Sequence, residues 1–239
     1  MGHLIASTGP IVFDHVVLGT RDTADGAAQV AELCGTEPIM TEPEPGQWYH
    51  SAALPLGGGA MLEILGPNTD HQGFRFFKSI LARYDRPEPV FWHLGTADFD
   101  AFCAVAKAAG APVERIEHLN SNTPHGRRTY TRGILGPGFR TVRPCVIEWT
   151  ARPKRPGLEA DPVCSIKAFK LTSPKAAEIN KAFQALGVDL TVENGTDRLS
   201  LVLWTPRGEV TFAGPGLVFE GAAALFQIAA MRLRQLLPG

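Results

Sequence analysis

The sequence lacks the features that mark several large classes of protein. Positive and negative side chains nearly cancel, with 23 Lys and Arg against 24 Asp and Glu, so the overall charge favours neither nucleic acid nor an anionic membrane. No run approaches the roughly 20 apolar residues of a membrane-spanning helix, and no basic stretch leads into the long apolar core of an export signal. We therefore expect a cytoplasmic protein that contacts neither nucleic acid nor membrane.

Cysteine is scarce as well. The four cysteines form no Cys-x-x-Cys pair and each has apolar sequence neighbours, so we interpret them as reduced, buried thiols and expect no disulfide framework. The chain also has no glycine-rich nucleotide loop after a strand and no Gly-x-Ser-x-Gly nucleophile elbow. These absences disfavour a nucleotide-phosphate site and a serine nucleophile of that kind.

What the sequence does contain is a repeat. The pentads LGTRD and LGTAD differ at one position, and their last residues, Asp22 and Asp98, lie 98 − 22 = 76 residues apart. Each pentad follows a strand pattern and precedes a helical pattern that a glycine ends, so both aspartates are predicted helix N-caps. A third and fainter copy has Ser173 as the predicted cap and Gly187 as the helix stop.

Further strands joined by glycine-containing turns follow each predicted helix. The unit is therefore strand, helix, three strands, and the predicted fold is α+β, with repeated βαβββ modules forming a curved mixed sheet. A third, odd module needs a partner, which is either the paired modules or its own counterpart in a homodimer. The predicted ranges are 11–67 for the first module, 68–89 for a helical connector, 90–150 for the second module, 151–162 for a linker, 163–213 for the third module and 220–237 for a C-terminal helix.

Two polar residues interrupt the apolar strands of the first module. In FDHVVLGT, strict alternation places His15 on one side of the strand together with Phe13 and Val17. In AMLEILGP, Glu63 is a carboxylate amid apolar residues. Burying an unpaired carboxylate costs several kcal/mol, so Glu63 should have a partner, a metal ion or water.

The second module contains the same residue types. His93 lies in PVFWHLGT and Glu148 in PCVIEWT. Two histidines and two glutamates at comparable places suit a borderline divalent metal such as zinc, nickel, iron or manganese.

The stretches FDHVVLGTRD and PLGGGAMLEILGP resemble the vicinal oxygen chelate superfamily, the glyoxalase, bleomycin-resistance and extradiol-dioxygenase fold. The TPHGR stretch at 123–127 and the IEW at 147–149 are more closely similar to the glyoxalase-like domain proteins of bacteria, and the resemblance covers about residues 11 to 213. It implies that paired modules form a cup and that the first and last strands of each module supply metal ligands. By this resemblance the ligands are His15, Glu63 and Glu148.

Two histidines need separate comment. Aligning LGTAD with LGTRD puts Phe91 at the place of His15, so His93 lies one pleat further along, about 6.5 Å, and would share a metal only with a shifted geometry. A histidine commonly precedes the hairpin in the glyoxalase-like proteins, and His50 has that place. The predicted pairing sets Ala52 opposite Glu63 and His50 on the same face, although a shift of one residue would turn His50 away.

Two functions follow as hypotheses. The first is a metal-dependent lyase or isomerase acting on a small oxygenated substrate. A divalent ion would be bound by His15, Glu63 and Glu148, with His93 or water completing the coordination, and Glu63 or His50 would move the proton. The second is a metal-free protein that binds an aromatic or drug-like molecule in the same cup. The predicted substrate contacts are Trp48, Phe91, Trp92, Trp149 and, for an anionic substrate, Arg127.

Several of these residues also have ordinary structural interpretations. His15 could be a semi-buried histidine with satisfied hydrogen bonds, and Glu148 could pair with Arg140 or Arg143. Arg127 could lie on a solvated surface.

Overall fold

The computed structural model describes residues 11–41, 47–73, 75–123, 126–152 and 161–219. The predicted C-terminal helix lies outside these residues, as does most of the predicted linker. Within them, the chain forms long strands, a large mixed sheet and a few helices, which confirms the predicted α+β class. No helix in this part of the chain is long and apolar enough to cross a membrane.

The first module follows the predicted order of strand, helix and three strands. Asp22 Oδ1 accepts a hydrogen bond of 2.9 Å from the Asp25 backbone N–H, and Gly35 ends the helix with a positive φ of 73°. Both features confirm the sequence prediction for this helix. Its elements are β1 (Ile11–Gly19), α1 (Thr23–Cys34), β2 (Ile39–Met40), β3 (Tyr49–Gly57) and β4 (Ala60–Pro67).

The second module repeats this order after a short connecting helix, with one additional two-residue strand at Phe139–Arg140. Asp98 Oδ1 accepts a hydrogen bond of 2.8 Å from the Ala101 backbone N–H, so the second predicted cap is confirmed too. Its elements are α2 (Arg75–Leu81) in the connector, then β5 (Glu88–Thr96), α3 (Phe99–Ala108), β6 (Val113–Thr123), β7 (Gly126–Leu135), β8 (Phe139–Arg140) and β9 (Cys145–Ala151).

The two modules form one sheet of eight strands in the order β2-β3-β4-β1-β5-β9-β7-β6. β1 and β5 meet antiparallel at the centre, while each runs parallel to the last strand of its own module. One face, the helical face, packs on α1 and α3 through strand residues such as Val16, Leu18 and Leu94. The opposite face, here called the inner face, carries His15, Val17, Glu63, Leu65 and His93.

The sheet curves around its inner face. Tyr49 on β3 and Arg132 on β7 are five strand spacings apart in the sheet order, which is roughly 24 Å if the sheet were flat. Burial raises the pKa of Tyr49, and the charge of Arg132 nevertheless acts in the opposite direction on that pKa. The ends of the sheet must therefore approach each other across the inner face.

The central strands each contain one extra residue, at matching places in the repeat. In β1 the pairing skips from Phe13 to His15, which leaves Asp14 unpaired. In β5 it skips from Phe91 to Pro89, which leaves Val90 unpaired. These bulged residues lie 90 − 14 = 76 residues apart, the same spacing as the pentads. A bulge resets the alternation of a strand. The prediction that Phe13 shares the face of His15 is therefore wrong, since Phe13 packs in the core of the helical face.

The third module keeps the order of elements but pairs its strands differently. Its elements are β10 (Ser165–Ser173), α4 (Ala176–Leu186), β11 (Val192–Asn194), β12 (Arg198–Thr205) and β13 (Gly208–Pro215), followed by β14 (Val218–Phe219), which pairs with β8. Its sheet has the order β11-β10-β12-β13, so its last strand, β13, does not lie beside its first strand, β10. In the other two modules the first and last strands are neighbours.

The third module packs against the helical face of the paired modules. Phe169 of β10 meets Phe13 and Trp92 edge-on, with ring centroids 5.2 and 5.1 Å away, and all three belong to one buried core. Arg143 Nη2 also donates to Glu178 Oε1 at 2.7 Å across the contact. Of the two partners that the sequence leaves open, the structure shows the paired modules of the same chain.

Candidate functional site

A histidine between two carboxylates lies at the centre of the inner face. His15 Nδ1 is 2.5 Å from Asp14 Oδ1, and His15 Nε2 is 3.8 Å from Glu63 Oε2. The three residues are only 5%, 4% and 8% exposed, so water screens these interactions little. Because Asp14 engages Nδ1, the ring is held with Nε2 directed at Glu63, and Nε2 is the nitrogen left for chemistry.

Asp14 is a site residue that sequence reasoning missed. Besides His15, it accepts hydrogen bonds of 3.2 Å from the Trp149 indole N–H and from Arg152 Nη2. Burial by itself would raise the pKa of Asp14, but the hydrogen bond and charge of His15 and the charge of Arg152 lower it below its ordinary value. Strict alternation puts Asp14 on the opposite face from His15. Only the bulge brings both to the inner face, and no residue in FDHVV predicts a bulge.

His93 is the cross-strand neighbour of His15. Their rings stack with centroids 3.9 Å apart, and Phe91 meets His93 edge-on at 5.6 Å. His93 Nδ1 is buried and has no hydrogen-bond partner among the described residues. Burial, reinforced by the charges of His15 and Arg132, holds the pKa of His93 well below its ordinary value, so this ring stays neutral. The structure thus brings His15, Glu63 and His93 together, as the sequence reasoning expected.

Glu148 does not reach the inner face. Its Oε2 accepts a hydrogen bond of 2.9 Å from the Phe99 backbone N–H, at the first turn of α3 on the helical face. The strand register explains this placement. In the first module Val17 pairs with Glu63. In the second module His93 is the equivalent of Val17, and it pairs with Cys145. Cys145 therefore occupies the place of Glu63, and the prediction that Glu148 does so is wrong.

Neither of the two arginines considered as partners for Glu148 pairs with it in the structure. Arg140 pairs with Asp197, and Arg143 with Glu178. The structural use of Glu148 is to accept a backbone N–H at a helix N-terminus, where a carboxylate is favoured.

His50 lies on the helical face. Ala53 pairs with Glu63, and His50 pairs with Gly66, so the hairpin register predicted from the sequence is wrong by one residue. Because strand side chains alternate, that single residue turns His50 away from Glu63. The structure therefore does not bring the predicted second base to the site.

The predicted substrate contacts divide between the two faces. Trp92 is fully buried on the helical face, because strand alternation separates it from its neighbours Phe91 and His93. Arg127 is exposed near the tip of the β6–β7 hairpin, where its Nε donates to Asn120 Oδ1 at 3.1 Å. Neither of these two residues lines the inner face.

Three of the predicted aromatic contacts do lie on the inner face or at its rim. Trp48 and Phe91 pack at the edge of a small apolar cluster under α2. Trp149 sits beside Tyr130 of β7, with ring centroids 5.1 Å apart. Aromatic rings therefore flank the His15 group on both sides.

Tyr49, Cys145 and Arg132 indicate that the inner face is concave. Burial raises the pKa of Tyr49 to about 12 and that of Cys145 to about 11, yet both side chains are only half-buried. Arg132 is likewise 38% exposed at its side chain, and its charge acts on the pKa of Tyr49. A side chain that is surrounded by protein but is still reached by solvent lies in a concave part of the surface.

The predicted four-ligand metal site is not assembled. Among the described residues, no group of three or more His, Cys, Asp or Glu side chains is arranged to hold a metal ion. His15 and Glu63 face each other, but Asp14 already engages His15, His93 stacks flat on His15, and Glu148 is on the other face. The donor set as arranged does not fit the three or four ligands of a protein metal site.

Two half-sheets related by a repeat and curved around one inner face define the vicinal oxygen chelate fold. The model of the glyoxalase-like domain family matches residues 13–187, and the chain belongs to this family. No curated protein matches the chain.

Several solved structures are similar to this chain at low sequence identity. A hypothetical protein from Staphylococcus aureus is 13% identical, with a TM-score of 0.54 and 85% of each chain covered. A mutant 4-hydroxymandelate synthase from Streptomyces coelicolor is 16% identical, with a TM-score of 0.51, and this chain spans 63% of its length and matches over 86% of its own. Methylmalonyl-CoA epimerase bound to methylmalonyl-CoA is 20% identical over 60% of this chain and 97% of that one, with a TM-score of 0.42.

Proposed function

We propose that this chain is an isomerase or lyase that moves a proton next to a carbonyl group of a small oxygenated substrate bound at the inner face. The observation that carries the proposal is His15, buried between Asp14 and Glu63 with one ring nitrogen engaged and the other facing a carboxylate. A positioned histidine of this kind is the commonest general acid–base group in enzymes.

The surrounding charges suit His15 to carry the proton. Nε2 takes the proton from the carbon, and the two carboxylates stabilise the imidazolium that forms. His93, stacked beneath it, stays neutral, so only one ring of the pair is charged at a time. Nε2 then returns the proton to a neighbouring atom in an isomerisation or to the leaving group in an elimination.

The proposal routes no step through a metal ion, because the donor set does not fit one. Metal analysis of the purified protein after incubation with zinc, nickel, iron(II) and manganese tests this directly. We expect the same substoichiometric metal content in the wild type and in Glu63→Gln. Stoichiometric metal that is lost in Glu63→Gln would replace this proposal with metal-dependent catalysis.

Solvent deuterium exchange tests the proton transfer without knowledge of the natural substrate. The protein is incubated with α-ketobutyrate in D₂O, and loss of the methylene signal next to the carbonyl is followed by proton NMR. We expect His15→Asn to slow exchange by roughly 100-fold or more, since general acid–base groups contribute about 10²–10⁴-fold. His118→Asn is the matched control, because His118 is exposed and bonds to Thr131 at 2.9 Å. Equal exchange in the wild type and His15→Asn would refute the proposal.

A metal-free protein that binds and sequesters a small molecule is the second candidate. The observation that favours it is Phe91, which stands where the repeat would place a second histidine and lies edge-on to His93. Tight binding of an aromatic ligand without proton exchange would support this candidate over the first.

We also propose a cytoplasmic location and a homodimer. All four cysteines are free, which suits a reducing compartment. The homodimer is tested by sedimentation equilibrium, where a monomer at all concentrations would contradict it.

A further inference from the structure

We propose that the substrate carries a carboxylate, and that Arg132, Tyr130 and Tyr49 bind it on the wall of the inner face. This inference rests on the proposed function and names its substrate class: small acids with a carbonyl or hydroxyl group next to the reacting carbon. Three observations support it: a guanidinium with one nitrogen unbonded, two hydroxyl groups without hydrogen-bond partners in the described part of the chain, and a short chain of contacts to His15.

Arg132 is fixed in place but not saturated. Its Nε and Nη2 both donate to Glu117 Oε2 at 2.8 Å, and its guanidinium lies 5.5 Å from the centre of the Tyr130 ring. Nη1 has no hydrogen-bond partner among the described residues. Its two N–H groups are therefore available to a ligand. A guanidinium donates but never accepts, so its natural complement is an anionic oxygen.

Two tyrosine hydroxyl groups accompany Arg132. Tyr130 lies on the same strand, two residues away and on the same face, and Tyr49 approaches from the opposite end of the sheet. Neither hydroxyl group forms a hydrogen bond with another described residue. Burial and the charge of Glu63 raise the pKa of Tyr49 to about 12, so at neutral pH it is a neutral donor and adds no repulsion to a bound anion.

The cluster is linked to the proton-transfer group through one residue. The Trp149 ring packs on Tyr130 at 5.1 Å, and its indole N–H donates to Asp14 Oδ2 at 3.2 Å. Asp14 in turn holds His15. A small molecule with its carboxylate at Arg132 therefore extends along Trp149 toward His15. Glu63 and Asp14 disfavour a second negative charge at that end.

Glu117 does not cancel the cluster. It lies on β6, the edge strand of the sheet, and its side chain is 56% exposed. Solvent screens such a carboxylate, so its pairing with Arg132 serves mainly to orient the guanidinium. The side of the guanidinium away from Glu117 keeps its positive field.

Isothermal titration calorimetry with a matched pair of probes tests the cluster. We expect the wild type to bind α-ketobutyrate at least about 10-fold more tightly than its neutral amide, since hydrogen bonds to charged groups are the stronger ones. Arg132→Gln should abolish the preference, Arg132→Lys should keep part of it, and Tyr130→Phe should reduce it. Arg127→Gln, the control, replaces an exposed arginine of the same strand and should leave the preference intact.

Each alternative result contradicts the proposal. Equal affinity for acid and amide, no binding of either probe, or an equal loss of preference in Arg127→Gln would overturn the carboxylate site. Inorganic phosphate that binds more tightly than α-ketobutyrate would assign the cluster to a phosphate group instead. Failure here is separable from failure of the proposed function, because the proton exchange that depends on His15 is measured independently.

Discussion

The first and second modules build the same half-sheet but carry different chemistry. Each has a capped helix of similar length, a central strand with a bulge, and a last strand parallel to the first. At the equivalent inner-face places, however, His15 is matched by Phe91, and Glu63 by Cys145. Burial raises the pKa of the Cys145 thiol to about 11, so this place is uncharged in the second module.

The bulged residues of the two central strands also differ in their contacts. Asp14 and Val90 are both unpaired residues on central strands, but the first holds His15, whereas the second packs in an apolar cluster. A repeated backbone therefore does not require a repeated site. The first module supplies the proton-transfer group, and the second supplies Arg132, Tyr130 and Trp149 as the opposing wall.

The largest expected effect is the difference in proton-exchange rate between a substitution at Glu63 and one at Cys145, its equivalent in the second module. Glu63→Gln removes the charge facing His15 Nε2, and we expect proton exchange on α-ketobutyrate to fall by roughly 100-fold. Cys145→Ser changes the matching place in the second module and should alter the rate by less than about 3-fold, since a neutral group replaces a neutral group. Similar losses in both variants would show that the two halves contribute equally.

Gly66 and Glu148 occupy equivalent places at the starts of α1 and α3. A Cβ on Gly66 would lie 2.6 Å from Thr23 Oγ1 and 2.8 Å from the Thr23 backbone nitrogen. We expect Gly66→Ala to lower the free energy of unfolding by about 1–3 kcal/mol, as overpacking does. Urea unfolding measures this change. An unchanged midpoint would mean that α1 shifts without cost.

Val17 is the equivalent of His93 in the first module, so His93→Val gives both modules the same residue at this place. The substitution tests how the stability of the protein depends on pH. The folded pKa of His93 is depressed, whereas its unfolded value is about 6.5. The unfolded chain therefore binds the proton more readily, and stability is lost as pH falls below about 6.5, by up to roughly 1.4 kcal/mol per pH unit.

His93→Val should remove that slope in urea unfolding between about pH 7.5 and 5. The comparison is with His118→Val, an exposed histidine on β6. A slope that persists unchanged in His93→Val would assign the acid sensitivity to another group. Asp14, whose folded pKa is lowered, contributes in a separate window, since its stabilisation is lost only as pH falls below its ordinary value of 3.8.

The smallest effect concerns Glu148. Glu148→Ala removes an acceptor from the Phe99 backbone N–H, and a lost helix cap costs about 1 kcal/mol. Urea unfolding should show this loss, while proton exchange stays unchanged because Glu148 is on the helical face. A variant of native stability that loses exchange would return Glu148 to the active site.

Much of the fold was predictable because its signals are local. Asp22 and Asp98 are N-caps that accept hydrogen bonds from backbone N–H groups of the first helical turn. Glycine ends the first helix because it adopts positive φ readily. The resemblance carried by FDHVVLGTRD and AMLEILGP placed His15 and Glu63 on one face. The sheet order of the third module was not predictable, since the same order of elements is compatible with more than one pairing.

The sequence by itself determined the repeated modules, the capped helices and the presence of a histidine and a buried acid on adjacent strands. Tertiary structure decided which face each remaining polar residue occupies. One inserted residue at Asp14, one residue of hairpin register at His50 and an offset of three residues in strand pairing, from Glu148 to Cys145, changed which residues form the site. The physical reason is the two-residue period of a strand, which turns any single-residue shift into a change of face that only long-range pairing can specify.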